Sequence, residues 1–285
     1  MFFSEWHILV VDDEPDVLAV TRLALKDVRV YGLPVVVHTA ASKAAAITAL
    51  NTTLALAGAA EGQCAVALID VVMETDHAGL ELCEHIRGAA NNHSMQLFIR
   101  TGQPGLAPER KVIDDYDISG YFTKQELTEQ KLYTLVKSGV RQWFSNWYAR
   151  LIAAGTNAEV AGAATRGGLL AALGFVGEDG PQPGEPVTGM VFEETVRVSD
   201  YPLEALQALR DQLRALPPAI TTPEGHRLTS DAQGRVLVDV QPTASTAAFY
   251  YVADSPMVMP RPLLDITFQN GLVLATLWQR AAPDA

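Results

Sequence analysis

Two adjacent carboxylates, Asp12 and Asp13, follow directly on an apolar run in the segment HILVVDDE at positions 7–14. A strand buried on both faces of a sheet reads as such a run, and in open parallel sheets the ligand crevice lies outside the carboxyl ends of the strands. Neighbouring carboxylates repel each other, and a cation makes the arrangement tolerable. The pair therefore indicates a cation site, although Asp is also common in solvated loops and at helix starts.

The segments that would position these carboxylates alternate between strand and helix along the first half of the chain. The predicted strands are HILVV, VVVHTA, CAVALID, MQLFIRTG and GYFTK, each followed by a segment with helical character. This alternation predicts a doubly wound, five-stranded parallel sheet of the α/β class. The third, fourth and fifth strands end at Asp70, Thr101 and Lys124, so these side chains are expected to share one crevice with the acidic pair.

The order of these strand-end residues resembles the receiver (CheY-like) domain of two-component response regulators, a flavodoxin-like fold. The resemblance covers roughly residues 5–141, about half of the chain. Gly79 follows the third strand as a turn glycine does in the family, and Tyr121 precedes Lys124 by three residues, like the family's switch aromatic. Any one of these residues alone would mean little, because Asp70 also suits a helix cap and Lys124 a solvated surface.

The resemblance implies a phosphoacceptor site that uses Mg²⁺. Phosphoryl transfer depends on positioning and charge neutralisation, so a divalent ion, a nucleophilic oxygen and a cation suffice. Asp70 would be the nucleophile that forms an acyl phosphate, with Lys124 and the Thr101 hydroxyl on the phosphoryl oxygens. The implied metal ligands are Asp12, Asp13, Asp70 and the backbone carbonyl of Val72. Thr101 and Tyr121 would form the conformational switch.

Two positions depart from the family pattern. Gln125 follows Lys124 where most receivers have a proline in a cis bond, and Glu74 follows Met73 where a proline is common. In the family, the residues two beyond the aspartate and two beyond the threonine tune the lifetime of the phosphoryl group. In this chain these residues are Val72 and Gln103, and we expect only modest hydrolysis of the acyl phosphate.

Composition limits the class of protein. With 285 residues and 48% hydrophobic content, the chain is long enough for two domains. The net charge of −12 and the lack of a basic stripe argue against a nucleic-acid partner. No apolar run has the length of a membrane span and no signal peptide is visible, so we expect no membrane association and a cytoplasmic location. Cys64 and Cys83 lack metal-binding spacing and are interpreted as reduced packing thiols.

The second half differs in composition, since every lysine lies at or before Lys137. We expect a receiver domain at 1–141 and a second domain at 142–285, joined by a continuous helix. That helix either packs on its own core or pairs between two protomers. The second domain reads as α+β, with helices, a strand meander and a closing helix. Its layout resembles the GAF-like domain of unknown function that follows receivers in bacterial regulators linked to cyclic-di-GMP enzymes.

These features predict a response regulator that receives a phosphoryl group from a sensor histidine kinase or a phosphotransfer protein. We expect it to signal through a homodimer interface or a downstream protein partner in cyclic-di-GMP signalling. Because no catalytic signature stands out in the second half, we expect no enzymatic activity. The alternative is a small-ligand sensor, in which the GAF-like domain is the input and the receiver mediates dimerisation.

Overall fold

The protein is described here by a computed structural model, which covers residues 4–52, 64–102, 109–162, 164–173 and 187–283. Contacts divide the chain into two compact units, Phe3–Trp147 and Tyr148–Ala285. Each unit has its own sheet and its own apolar core. In these ranges no helix combines the length and apolarity needed to cross a membrane.

The first unit is built on five parallel strands in the doubly wound arrangement. These strands are β1 (Trp6–Val11), β3 (Leu33–Ala40), β4 (Cys64–Asp70), β5 (Gln96–Thr101) and β6 (Gly120–Thr123). A two-residue strand, β2 (Arg29–Val30), pairs antiparallel with β3 at the sheet edge. The order β2-β3-β1-β4-β5-β6 places β1 and β4 in the centre and confirms the predicted fold class.

Helices follow the parallel strands, as expected for crossover connections in a parallel sheet. They are α1 (Pro15–Ala24), α2 (Lys43–Asn51), α3 (Ala78–Arg87), α4 (Glu109–Tyr116) and α5 (Glu129–Gly162). Local sequence explains two of these starts. Pro15 occupies the first turn of α1, where a missing N–H has no consequence, and the Ser42 side chain accepts a hydrogen bond from the Ala45 N–H at 3.1 Å.

The central strands are buried on both faces, which explains their unbroken apolar sequences. All residues of β1, β4 and β5 are buried. One face packs against a cluster that includes Leu82 and Ile86 of α3. Near the start of β1, the Trp6 indole lies against Trp143 and Phe144 of α5, with ring centroids 6.2 and 5.4 Å apart. The sheet is therefore a rigid platform for side chains at its carboxyl edge.

The second unit contains an antiparallel sheet. Its strands are β7 (Thr188–Phe192), β8 (Val196–Val198), β9 (Ile220–Thr221), β10 (Arg227–Ser230), β11 (Arg235–Val240) and β12 (Phe249–Asp254). The strand order is β8-β7-β12-β11-β10-β9. The helices of this unit, besides the end of α5, are α6 (Arg166–Leu173), α7 (Leu203–Arg214) and α8 (Arg261–Arg280).

Helices cover both faces of this second sheet. Alternate residues of a strand point to opposite faces, so neighbouring residues of one strand pack against different helices. Val236 and Val238 of β11 belong to the cluster formed with α8, which includes Phe268. Leu237 between them belongs to the cluster formed with α7, which includes Leu209. The predicted α+β content is thus confirmed, whereas the GAF-like interpretation stays a prediction.

One local prediction needs correction. The apolar residues of the segment VTGMVFEETVRV predict one strand, but the segment forms β7 and β8 around a tight turn. Glu193 and Glu194 in this turn have φ values of 48° and 65°, a left-handed conformation that sequence composition favours only for Gly, Asn or Asp. The segment SKAAAITALNTTLALAG predicts a helix over 42–58; α2 forms its first part, and residues 53–58 lie outside the described residues.

Candidate functional site

Three charged side chains from separate strand ends meet at the carboxyl edge of the first sheet. Asp12 follows β1, Asp70 ends β4 and Lys124 follows β6. Carboxylate oxygens of Asp12, Glu14 and Asp70 all lie within 4.8 Å of one another. The structure therefore brings together side chains that are up to 112 positions apart in sequence, as the strand-end pattern predicted.

Lys124 holds this acidic cluster together. Its Nζ lies 2.7 Å from Asp70 Oδ2, 3.1 Å from Asp12 Oδ2 and 2.6 Å from Glu14 Oε1. Burial alone would lower the pKa of the Lys124 ammonium, but its hydrogen bonds to Asp70, Glu14 and Asp12 outweigh burial and raise the pKa above its usual value. Lys124 is therefore a permanent positive charge in the site.

Asp70 combines burial with an unused oxygen. The residue is 3% exposed, and its Oδ1 has no hydrogen-bond partner among the described residues. Burial raises the pKa of the Asp70 carboxyl, and the hydrogen bond from Lys124 opposes this shift. A buried polar atom without a partner is costly, and a catalytic role or a bound ion is one explanation for keeping it. Oδ1 is thus positioned to bind a cation or to act as a nucleophile.

Asp12 is fully buried and has two cationic partners. Besides Lys124, its Oδ2 pairs with the guanidinium of Arg100 at 3.0 Å, and its Oδ1 accepts the Glu14 N–H at 3.0 Å. Arg100 is the penultimate residue of β5 and is itself buried. Sequence reasoning missed Arg100, although a charged residue inside a predicted buried strand was a usable signal.

Asp13, predicted as a metal ligand, is exposed and lies outside the cluster. Glu14 takes its place, because Lys124 draws the Glu14 carboxylate towards the site. The same contact lowers the pKa of Glu14. The sequence showed three consecutive acidic residues, but it could not reveal which of them faces the crevice. A ligand role for Asp13 stays a proposal.

The remaining predicted residues lie near the cluster. Thr101 is buried at the end of β5, and its backbone carbonyl accepts the Lys124 N–H at 2.8 Å. Tyr121 in β6 is partly buried and packs against the apolar core of the first unit. Val72, two residues beyond Asp70, packs against the same core. Their predicted roles in phosphoryl binding, switching and metal coordination stay proposals.

Gly79 and Glu74 shape the loop after β4. A Cβ atom at Gly79 would lie 1.9 Å from the Asp70 carbonyl oxygen, so only glycine fits this close approach. Glu74, which replaces the proline common in receivers, accepts a hydrogen bond from the Lys43 N–H at 3.0 Å. The carboxylate thus caps the start of α2 and ties this loop to the neighbouring helix.

Gln125 and Gln103 were the other positions that the comparison with the family singled out. No peptide bond between described residues is cis, and the chain passes from Lys124 to Gln125 in the trans form. Gln103, predicted to tune the lifetime of the phosphoryl group, lies outside the described residues. The Lys124 side chain reaches Asp70 without the proline of the family.

The donor set is suited to a hard divalent cation. Mg²⁺ prefers oxygen ligands and is held through few carboxylates, and the cluster supplies carboxylate oxygens from Asp12, Glu14 and Asp70. The buried, unpartnered Oδ1 of Asp70 is the observation that favours a ligand here over a purely structural ion-pair network.

No family model matches the sequence. A curated relative, 3'3'-cGAMP-specific phosphodiesterase 2 of Vibrio cholerae serotype O1, is 41% identical over 140 residues, which is 48% of this chain. The match spans 25% of that protein, about a quarter of its length.

Solved structures similar to the N-terminal half include several receiver domains. A receiver domain from Methanospirillum hungatei matches with 20% identity and a TM-score of 0.40, over 50% of this chain and 99% of its own. The receiver of an HD domain-containing protein from Pseudomonas fluorescens matches with 20% identity and a TM-score of 0.40, over 50% and 98%. NtrX from Brucella abortus matches with 17% identity and a TM-score of 0.42, over 54% of this chain and 30% of its own. The strand order described above carries the fold assignment.

The curated relative overturns one prediction. We expected no enzymatic activity, because the second half lacked a recognisable catalytic signature. A phosphodiesterase that is 41% identical over 48% of the chain points to an enzyme instead, although the match covers only part of each protein. The earlier prediction relied on short motifs, whereas this similarity extends over 140 residues.

Proposed function

We propose that Asp70 accepts a phosphoryl group and that its phosphorylation state controls hydrolysis of a cyclic dinucleotide. The observation that carries the first part is the buried Oδ1 of Asp70, which has no partner in the described ranges. Its companion oxygen pairs with Lys124, so the nucleophile is oriented before a phosphodonor arrives. The second part rests on the phosphodiesterase relative.

The chemistry assigned to Asp70 is direct displacement at phosphorus. A lone pair of Oδ1 attacks the phosphoryl group of a phosphohistidine, the new P–O bond forms, and the P–N bond breaks with the electron pair leaving on the imidazole. The similarity to receivers favours a histidine kinase or a histidine-containing phosphotransfer protein as the donor. Lys124 then exchanges its contact with Asp70 Oδ2 for a phosphoryl oxygen, as a point charge.

Asp12, Glu14 and Asp70 would hold Mg²⁺, together with the backbone carbonyl of Val72. The ion would neutralise the negative charge that accumulates between the carboxylates and the phosphoryl group. Asp13 is the alternative to Glu14 as a metal ligand, and substitution of each residue distinguishes the two assignments. If Asp13 is the ligand, Asp13→Asn weakens Mg²⁺ binding and Glu14→Gln does not; the reverse result assigns Glu14.

The signal would leave the site through the neighbouring strand ends. The Lys124 N–H donates a backbone hydrogen bond to the Thr101 carbonyl, so a displacement of the Lys124 backbone would act on both β5 and β6. The Thr101 hydroxyl would turn towards a phosphoryl oxygen, and Tyr121 would change its packing against the core. Such a shift is driven by contacts that exist only in the phosphorylated state.

The test measures hydrolysis of 3'3'-cGAMP and of cyclic di-GMP by the full chain. Mg²⁺ is present throughout, and beryllofluoride, which mimics the phosphoryl group, is added or omitted. A change in the hydrolysis rate that depends on beryllofluoride and disappears in Asp70→Asn supports the proposal. Hydrolysis that ignores beryllofluoride, or no hydrolysis in either state, contradicts the enzymatic part. Binding of beryllofluoride, measured separately by thermal unfolding, tests the phosphoacceptor part alone.

A further inference from the structure

Arg100 is a buried cation within the acidic cluster. The residue is 4% exposed, and its side chain reaches from β5 past β4 to the end of β1. One guanidinium nitrogen donates to Asp12 Oδ2 at 3.0 Å, and the other donates to Thr21 Oγ1 of α1 at 2.8 Å. The third, Nε, is buried and has no partner among the described residues.

Burying a guanidinium is expensive unless charge and hydrogen bonds compensate it. Asp12, which is fully buried, supplies the compensating charge. In this arrangement Asp12 shares its negative charge between Arg100 and Lys124 rather than offering it to an added ion. The cluster of Asp12, Glu14 and Asp70 thus carries three negative charges against two fixed positive charges.

We propose that Arg100 is an internal counter-ion that lowers the divalent-cation affinity of this site and so sets the Mg²⁺ concentration at which Asp70 is phosphorylated. This inference rests on the metal site of the proposed function and adds a regulator to it. A cation that enters must compete with the guanidinium for Asp12 and is repelled by its charge. Thr21 fixes the guanidinium in place, which connects the metal site to α1.

The pairing also makes Arg100 a positioning residue for Asp12. The two-point attachment to Asp12 and Thr21 restricts the rotation of the guanidinium, which holds its charge next to the carboxylate. Removing the charge but keeping the bulk leaves Asp12 with Lys124 as its one cationic partner among the described side chains. Asp12 then has more of its charge available to Mg²⁺.

The experiment titrates the full chain with Mg²⁺ and, in parallel, with Mn²⁺, without phosphodonor. Binding is followed by calorimetry and by the rise in melting temperature. We expect Arg100→Met to bind Mg²⁺ at least about tenfold more tightly than the wild type, because a neighbouring positive charge has been removed. Arg100→Lys should stay close to the wild type. Arg22→Met, which removes an exposed charge from α1, is the control and should leave affinity unchanged.

A folded Arg100→Met variant whose Mg²⁺ affinity equals that of the wild type overturns the proposal. Thr21→Val covers the case in which Arg100→Met does not fold, because it keeps the arginine and removes one anchor. It should tighten Mg²⁺ binding by a smaller factor, and an unchanged affinity there also overturns the proposal. Phosphorylation of wild-type Asp70 is measured separately. Its absence defeats the proposed function, whereas phosphorylation with unchanged metal affinity in the variants defeats only the role of Arg100.

Discussion

Lys124 Nζ lies 2.7 Å from Oδ2 of Asp70, although Asp70 ends β4 and Lys124 follows β6, two strands that are separated by β5. The contact leaves Oδ1, the second oxygen of Asp70, buried and without a partner among the described residues. One oxygen is therefore oriented by a cation while the other is available. This division within one carboxylate is the basis for regarding Asp70 as a nucleophile rather than a structural ion-pair partner.

Removing the Lys124 charge should destabilise the first unit. Lys124→Met leaves Asp70 and the fully buried Asp12 with much less compensating charge. We expect the free energy of unfolding to fall by about 3 kcal/mol at neutral pH. Millimolar Mg²⁺ should recover part of this loss, because a divalent ion replaces the missing charge. Urea unfolding with and without Mg²⁺ measures both effects.

The matched control for Lys124 is Lys131→Met, which removes an exposed lysine of α5. We expect the free energy of unfolding of this variant to lie within about 0.5 kcal/mol of the wild-type value. Equal stability of Lys124→Met and Lys131→Met would mean that the ion pairs at Asp70 and Asp12 contribute nothing to folding.

A methyl group at Gly79 should disrupt the loop after β4. Its Cβ would lie 1.9 Å from the backbone oxygen of Asp70, and backbone atoms there cannot move without displacing Asp70 itself. We expect Gly79→Ala to lose about 1–3 kcal/mol of stability, in line with other overpacked positions. At Gly102 the nearest atom to an added Cβ is 3.7 Å away, so Gly102→Ala should have little effect on the melting temperature.

The positions of the site residues at the strand ends could be predicted from the sequence because the fold is regular there. Buried parallel strands give unbroken apolar runs, so the run CAVALID predicted β4 and its end at Asp70. The orientation of side chains in the following loops could not be predicted. Asp13 and Glu14 are adjacent and chemically alike, and only the position of Lys124, over a hundred residues away, selects Glu14 for the cluster.

Long-range charge pairing also explains why Arg100 was missed. Its partners are Asp12, which follows β1, and Thr21 of α1, and they are 88 and 79 positions away. In the second unit, the split of one predicted strand into β7 and β8 depends on a turn formed by Glu193 and Glu194. Local propensity disfavours that turn, and ion pairs with Arg166 and Arg210 accompany it.

The two cysteines should be inert in the folded protein. Burial raises the pKa of the Cys64 thiol and of the Cys83 thiol to about 12 in each case. At pH 8 about one molecule in ten thousand would then carry a thiolate at either position. Alkylation by iodoacetamide, followed by mass spectrometry, should modify both thiols only after denaturation. Rapid alkylation of the native protein would contradict this expectation.

A pair of histidines should make stability fall at mildly acidic pH. His7 Nδ1 lies 3.0 Å from His38 Nε2, and burial lowers the pKa of both rings below 6.5. The unfolded chain therefore binds protons at a higher pH than the folded one. The neutral histidine pair contributes its full stability to the folded protein at pH values above 6.5, the pKa of histidine in the unfolded chain. This stability is lost as the pH falls below 6.5 towards the lowered pKa values of the folded protein.

Melting temperatures between pH 5 and pH 8 measure this effect. His38→Gln should flatten the decline at acidic pH, because one of the two coupled rings is removed. The control is His93→Gln, at an exposed position, and it should retain the wild-type profile. If the melting temperature of His38→Gln depends on pH as that of the wild type does, the histidine pair is not the cause of the fall in stability at acidic pH.

The most direct test of the central claim is the detection of an acyl phosphate on Asp70. The full chain is incubated with Mg²⁺ and acetyl phosphate, reduced with borohydride to convert any aspartyl phosphate to homoserine, and digested for mass spectrometry. The proposed function predicts homoserine at position 70 in the wild type and no such conversion in Asp70→Asn or without phosphodonor. An unmodified Asp70 in the folded wild-type protein at saturating Mg²⁺ would contradict the proposal that this residue is a phosphoacceptor.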